Sequence, residues 1–245
     1  VRDGRLVLTV RLNDATTSEV LWSDDQSVEV SAMAGFEVEQ QWSRQIAARV
    51  GDPSGAVIRQ QLAIDRSAPT EPEIEARLAF YAYLDDGTLE SIGVAAARLD
   101  AALDSGRRTA PLLAMRAAIA NTTSVLEGVD REAALDRAEA LAREALVHDG
   151  GNVHAHLTLS YPLLQRGQVD VAIDLIETAA RLAPYQPFTL STAGMGLIAC
   201  GEWQRGSALI SQAYQLNPGL SGQTHGWLAF AQLAEGNYER ALAEA

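Results

Sequence analysis

The chain has 245 residues, 47% of them hydrophobic, with 19 basic against 32 acidic residues and a formal net charge of −13. Phosphate contacts need clustered cations, so this balance excludes a nucleic-acid surface in this segment. Every one of the 19 basic residues is arginine, which excludes a phosphate-loop lysine and a Schiff-base lysine, and no apolar run reaches membrane-spanning length.

The first predicted element is a strand over residues 5–12. Leu6, Leu8, Val10 and Leu12 alternate there with Arg5, Val7, Thr9 and Arg11, the period of two of a half-buried strand. Residues 13–19, NDATTSE, have turn composition, and residues 20–24 predict a second strand, so the two form a β-hairpin with a long loop. Two strands are not stable alone and need cover. Residues 37–50 supply it, with Val38, Trp42, Ile46 and Val50 on one helical face. Gly51, Asp52, Pro53 and Gly55 then break the chain. A weaker helical pattern follows over 56–66, through Val57, Ile58, Gln61 and Leu62. Thr70 and Glu73 have capping-box spacing and predict a helix start, with Glu71 and Glu73 suited to the positive end of its dipole. Helices over 72–85 and 89–104 form one pair, and helices over 110–126 and 131–147 form another.

From residue 153 the chain repeats itself. Gly167, Gly201 and Gly236 lie 34 and 35 residues apart, and each opens a similar run: GQVDVAIDLIETAARLAP, GEWQRGSALISQAYQLNP and GNYERALAEA. Aligned on these glycines, Ser160, Gly194 and Ala229 share a column, as do Ala172, Gly206 and Ala241, and Ala179 and Ala213. Large residues share others: Val169, Trp203 and Tyr238, then Ile176 and Ile210. Small residues let helix axes approach, and large ones fill the gap to the next repeat. Pro184 and Pro218 close two of the repeats, because proline cannot continue a helix. This pattern resembles the tetratricopeptide repeat, a period of about 34 residues with two short amphipathic helices in each. The run at 131–147 resembles a repeat's second helix, with Ala138, Ala142 and Ala145 on its packing columns, after a loop longer than the family pattern. The resemblance implies a mainly α fold, a superhelix of helical hairpins, degenerate over 69–150 and regular over 153–245. The chain starts inside a strand pattern without methionine and stops within a repeat's second helix, so it reads as part of a longer protein.

Residues 1–68 read as a small α/β remnant. Arg11, Leu12 and Asp14, followed by Val20, Leu21 and Trp22, resemble the end of the TolB-amino-terminal-like α/β domain, found before tetratricopeptide repeats in bacterial signalling proteins. Asn13 stands where that family has an aliphatic residue, and Ser18 where a glycine is common. The resemblance implies the second half of such a domain. Proteins of this kind carry a class III nucleotide cyclase or a winged-helix DNA-binding domain at the amino terminus.

Candidate chemistry is sparse. His154 and His156 are two residues apart and point in different directions on a helix, whereas a zinc pair prefers i, i+4. They are expected as an inner-surface and a half-buried residue, with His225 like His156 and His148 across the Gly150–Gly151 break. Asp24–Asp25 and Asp85–Asp86 are expected as solvated acids in turns or at element ends. The charge of −7 over residues 69–150, counted from the sequence, fits either an acidic sensor surface or a solubilising face. Cys200 stands alone, so it forms no internal disulfide and leaves the redox compartment open. No nucleophile motif is present, and Gly194–Gly196 reads as a packing feature. No catalytic residue, metal or cofactor is expected.

The tetratricopeptide resemblance implies a partner surface on the concave face of the first helices. It maps to His154, Leu157, Tyr161, Leu164 and Gln165, then to Phe188, Ser191, Met195, Ile198 and Ala199. The last repeat gives Gln223, Gly226, Phe230, Leu233 and Ala234. The family's carboxylate-clamping lysine, arginine and asparagine are absent from these positions, so an apolar groove remains, open to a peptide or filled by a neighbouring helix of the chain. The expected function is a non-catalytic scaffold or sensory region of a bacterial signalling protein, in the cytoplasm or on the periplasmic side of a membrane-anchored regulator. The rival expectations are the regulatory half of a nucleotide cyclase and the sensor of a winged-helix regulator. The sequence leaves the oligomeric state open.

Overall fold

The computed structural model describes residues 5–15, 17–29, 35–53, 55–63, 71–218, 220, 222–237, 239 and 242. The chain divides into two units, Val1–Ile64 and Asp65–Ala245. The expected boundary near residue 68 lies outside the described residues.

In the first unit, β1 (Arg5–Asn13) pairs antiparallel with β2 (Val20–Glu29). Leu6, Leu8, Val10 and Leu12 are half-buried, and the residues between them are exposed, as the alternation predicts. β2 runs past Asp24 to Glu29, longer than the sequence indicates. Its inner face continues through two polar residues, Asp24 and Gln26, which mask the pattern. Gln26 donates to Asp24 at 2.8 Å, and Arg49 pairs with it at 2.5 Å. In the hairpin loop, Ser18 has φ +62°. That left-handed conformation favours glycine.

Helix α1 (Gly35–Gly51) covers the hairpin. Val38, Trp42 and Ile46 share a cleft with Leu6 and Leu8, and Ile46 and Val50 share another with Val10, Leu12 and Trp22. A sharp turn leads to α2 (Ala56–Ala63). A Cβ on Gly55 would lie 2.7–2.9 Å from three backbone carbonyl oxygens, so only glycine fits that turn.

The second unit is a row of helical hairpins: α3 (Pro72–Asp86) with α4 (Leu89–Asp104), α5 (Ala110–Thr123) with α6 (Arg131–His148), α7 (Val153–Gln165) with α8 (Val169–Leu182), and α9 (Pro187–Ala199) with α10 (Trp203–Leu216). A last helix, α11 (Gly222–Ala234), follows. Side chains cap several starts: Thr88, Asp130 and Asn152 accept from the backbone N–H three residues on. The capping box expected at α3 rests on Thr70. Thr70 lies outside the described residues, and the residue at the N-cap is Glu71, without a side-chain bond. Proline at the first position still pre-sets that start.

Gly167 and Gly201 sit where the first helix of a hairpin turns into the second, and Gly236 follows α11. Gly167, Gly201 and Gly236 have φ of +75°, +89° and +78°. Pro184 and Pro218 follow the ends of α8 and α10 as predicted.

Each second helix packs on its own partner and on the first helix of the next hairpin, and the first helices α3, α5, α7, α9 and α11 are also neighbours of one another. The core follows this path. One cluster joins α3 to α7 through Phe80, Leu99, Leu113 and Leu163. A second joins α7 to α9 through Ile176 and Leu197, and a third joins α9 to α11 through Ile198, Ile210 and Leu228. Ala172 is fully buried in α8. At the α9–α10 crossing, Gly194 faces Gly206, and a Cβ on either would lie within 2.5–2.6 Å of the other's carbonyl oxygen. The paired small columns of the sequence are therefore a true helix crossing.

Candidate functional site

The first helices lie beside one another along the row of hairpins. Their common face forms a groove of about 530 Å³. Phe80, Tyr83 and Leu84 enter from α3, and Ala118, Asn121, Thr122 and Val125 from α5 and the turn after it. Helix α7 gives His154, Leu157, Thr158, Ser160, Tyr161 and Leu164, while α9 gives Phe188, Thr192, Met195, Gly196 and Ala199. Ile176 lies behind Gly196, and Trp227 of α11 closes the row. Among the described residues, no Asp, Glu or Arg lines this groove, in a chain of net charge −13. No described segment of its own unit fills it.

The α7 wall depends on a local substitution of one donor for another. Pro162 stands inside α7 and has no N–H for the carbonyl of Thr158. The Asn121 side-chain amide donates to that carbonyl at 2.8 Å, binding α5 to α7 beside the groove. Tyr83 and Thr122 share a hydroxyl hydrogen bond of 2.8 Å, which joins α3 to α5 in the same way.

His154 sits among the aromatic rings of the site. Its ring meets Phe80 edge-on, with centroids 5.5 Å apart, and stacks on Phe188 at 5.9 Å with an interplanar angle of 4°. The ring keeps some solvent contact, yet protein atoms crowd it closely enough that burial lowers its pKa from 6.5 to about 4. It is therefore neutral at pH 7.

Five of the eight partner-face residues expected from the sequence line the groove: His154, Leu157, Tyr161, Phe188 and Met195. Three do not. Ile198 is a correction: it is 0% exposed and packs against Ile210 and Leu228, so it belongs to the core between α9 and α11. Gln165 is exposed outside the groove lining and accepts a hydrogen bond from Arg131. Phe230 is 51% exposed and makes edge contacts with Trp203 and Trp227 instead. Of the remaining concave positions, Leu164 and Ala199 line the groove, whereas Ser191 is buried. The side chain of Gln223 lies outside the described residues.

The structure adds Phe80, Tyr83, Asn121, Thr122 and Trp227 to the site. Their signal was in the spacing. Ala118, Asn121, Thr122 and Val125 fall at i, i+3, i+4 and i+7, one helical face. The mixed composition of that face hides it, and the long α5–α6 loop breaks the repeat register.

The other candidates have structural partners. Asp24 lies in mid-strand and pairs with Arg49 rather than standing solvated in a turn. Asp86 accepts from the Ser91 hydroxyl at 2.5 Å and from the Thr88 N–H at 2.8 Å. The Ser91 bond, then the Thr88 N–H, hold its carboxyl below the usual carboxylate range. His156 Nε2 lies 3.0 Å from the Gly150 carbonyl, and His225 lies against Tyr214. Burial, with Glu202 nearby, pushes the Cys200 thiol up, away from the nucleophilic thiolate. Among the described residues, no group of three or more His, Cys, Asp and Glu is placed to hold a metal.

Much of the acidic charge over 69–150 is cross-linked by arginine. Arg116, 7% exposed, grips Asp100 with two bonds of 2.8 and 3.2 Å, and Arg137 reaches the same carboxylate at 2.6 Å. Arg108 grips Glu144 with two bonds of 2.6 Å. Arg166 pairs with Asp136 and Glu139, and Arg205 with Glu177. The pairs of Arg116, Arg137, Arg166 and Arg205 join successive helix pairs, a task for which the forked guanidinium suits better than an ammonium.

Among solved structures, the chain is similar to that of a thermophilic TPR protein from Thermus thermophilus. The two are 17% identical over 71% of this chain and 87% of that one, with a TM-score of 0.56. MamA from Desulfovibrio magneticus RS-1 is 16% identical over 72% of this chain and 93% of that one, with a TM-score of 0.45. No protein-family model and no curated protein matches the sequence. The first likeness and the helix order together show the fold: mainly α, a TPR-like array of helical hairpins, with a small strand hairpin near the amino terminus. Among the described residues, no helix is long and apolar enough to cross a membrane.

Proposed function

We propose that this chain is a non-catalytic, protein-binding scaffold whose partner segment lies in the groove of the first helices. One observation carries the reading: an open, uncharged groove of about 530 Å³, floored by His154, Leu157, Tyr161, Phe188 and Met195. Its volume and lining are those of a recognition site, and a neutral histidine among aromatic rings offers hydrogen bonds without the penalty of a buried charge. The chain acts in this reading as the partner-binding region of a bacterial signalling protein in the cytoplasm, with the α/β unit at residues 1–68 joining it to an effector. A periplasmic location is the alternative. The likeness of residues 11–22 to the TolB-type pattern supports that setting, and the left-handed Ser18 at its glycine place adds to it. Under the same setting, the effector is a nucleotide cyclase or a winged-helix domain.

The test is selection of peptides from a random library on the purified chain, followed by Met195→Glu. A charge in the groove floor abolishes binding of the selected peptides while far-ultraviolet circular dichroism stays unchanged. Peptides that bind wild type and Met195→Glu equally place the partner elsewhere and end the proposal.

A further inference from the structure

We infer that the groove's occupant is a cationic amphipathic segment of a partner protein, seated with its positive charges over one end of the groove. This inference rests on the groove being the binding site. The groove lining includes last-turn residues of four first helices, Leu84 of α3, Thr122 of α5, Leu164 of α7 and Ala199 of α9, and a helix's carboxyl end carries the negative pole of its dipole. Side chains add to that field. Leu84 lines the groove, and the exposed Asp85 and Asp86 follow it at the end of α3. Val125 lines it too, is 65% exposed, and is followed by the exposed Glu127. Asp86 is held by hydroxyl and backbone donors, so its charge is not cancelled by a cation there. Arg107 and Arg108, just before the amino end of α5, are already paired with Glu71 and Glu144.

Charge then selects among occupants. A nucleic acid or an anionic lipid surface would bring like charge to the negative rim. So would a second copy of this chain, at −13. The lining itself offers no charge to pair, so it takes an apolar face, anchored by a bulky side chain against Met195, Tyr161 and the His154–Phe188 stack. Positive residues at one end of the segment meet the rim, where partial exposure to water keeps their desolvation small.

The experiment uses the full 245-residue chain and synthetic peptides of about 18 residues with Leu and Trp at i, i+3, i+4 and i+7 spacing. One carries Lys on its other face, one carries Glu there, and one scrambles the Lys peptide to remove the apolar face. Affinity is read by fluorescence anisotropy at two salt concentrations. The Lys peptide binds at least about tenfold tighter than either other peptide, and Met195→Glu removes its binding. The double variant Asp85→Lys, Glu127→Lys weakens the Lys peptide about tenfold and improves the Glu peptide, an effect that shrinks as salt rises. If the Lys and Glu peptides bind alike and both need Met195, the groove is the site but its occupant is not cationic. If the scrambled peptide binds as well as the ordered one, or Met195→Glu changes nothing, the binding is surface charge alone and both the inference and the groove reading fall.

Discussion

Replacing Gly194 by alanine is the sharpest test of how the hairpins pack. A Cβ there would lie 2.6 Å from the carbonyl oxygen of Gly206 and 2.6 Å from Cγ1 of Ile210, whereas ordinary contact begins near 3.4 Å. The first obstacle is backbone, so α10 must retreat by most of an ångström from α9. Overpacking of this kind costs about 1–3 kcal/mol. Alanine also gains about 0.8–1.0 kcal/mol of helix propensity over glycine. The obstacle is backbone that no side-chain rotation relieves, which puts the overpacking cost at about 2–3 kcal/mol and leaves a net loss of about 1–2 kcal/mol. Gly93, exposed on α4 with nothing within 4 Å of its Cβ site, is the control. Gly93→Ala keeps the propensity gain without the clash and stabilises by about 0.8–1.0 kcal/mol. At roughly 2–4 °C per kcal/mol for a chain of this size, thermal melts should show Gly194→Ala about 2–8 °C below wild type and Gly93→Ala about 2–4 °C above. Adding Gly206→Ala to Gly194→Ala costs less than the two single changes summed, since the helices have already parted. A Gly194→Ala melt at or above wild type refutes the crossing, and Gly194→Leu, unchanged, would refute it outright.

The remaining predictions use the same logic elsewhere. His154 is neutral in the fold, with a pKa near 4 against 6.5 unfolded. The unfolded chain therefore takes up the proton first, and stability, complete above pH 6.5, falls by about 3 kcal/mol as pH drops to 4; denaturant midpoints should lose this component in His154→Phe. Asp100→Ala strands the buried guanidinium of Arg116 and should cost about 2–4 kcal/mol. Arg137→Ala removes only an exposed arm of the same cluster and should cost under about 1 kcal/mol by the same measurement. Ser18→Gly relieves a left-handed serine and should stabilise the hairpin by about 0.5–1 kcal/mol, read as slower amide exchange in β1 and β2. Faster exchange would show that the loop does not hold φ +62°.

Where the sequence was legible, one residue type had one reason to recur. The left-handed turn conformation returns at Gly167, Gly201 and Gly236, and close approach fixes Gly194 opposite Gly206. The strand alternation at Leu6–Leu12 survived for a similar reason, since one face is apolar and the other is not. Legibility failed where polar side chains do interior work. Asp24 and Gln26 carry β2 inward through Arg49, so the strand looked five residues shorter than it is. Ile198 failed differently. The repeat column placed it on the partner face, but Gly206 lets α10 come so close that Ile198 seals against it. The groove was half legible. Its α7 and α9 walls follow the repeat register, whereas α3 and α5 join through Phe80, Tyr83 and Asn121, whose hairpins depart from that register.

Methyl NMR on the full chain tests the central claim directly. Met195 stands in the groove floor, and Met115 lies in the core cluster between α3 and α7. On titration with a peptide selected for binding, the Met195 methyl resonance should shift or broaden while that of Met115 stays fixed. A bound peptide that leaves Met195 unmoved would contradict the account, because the partner would then be held on some other face.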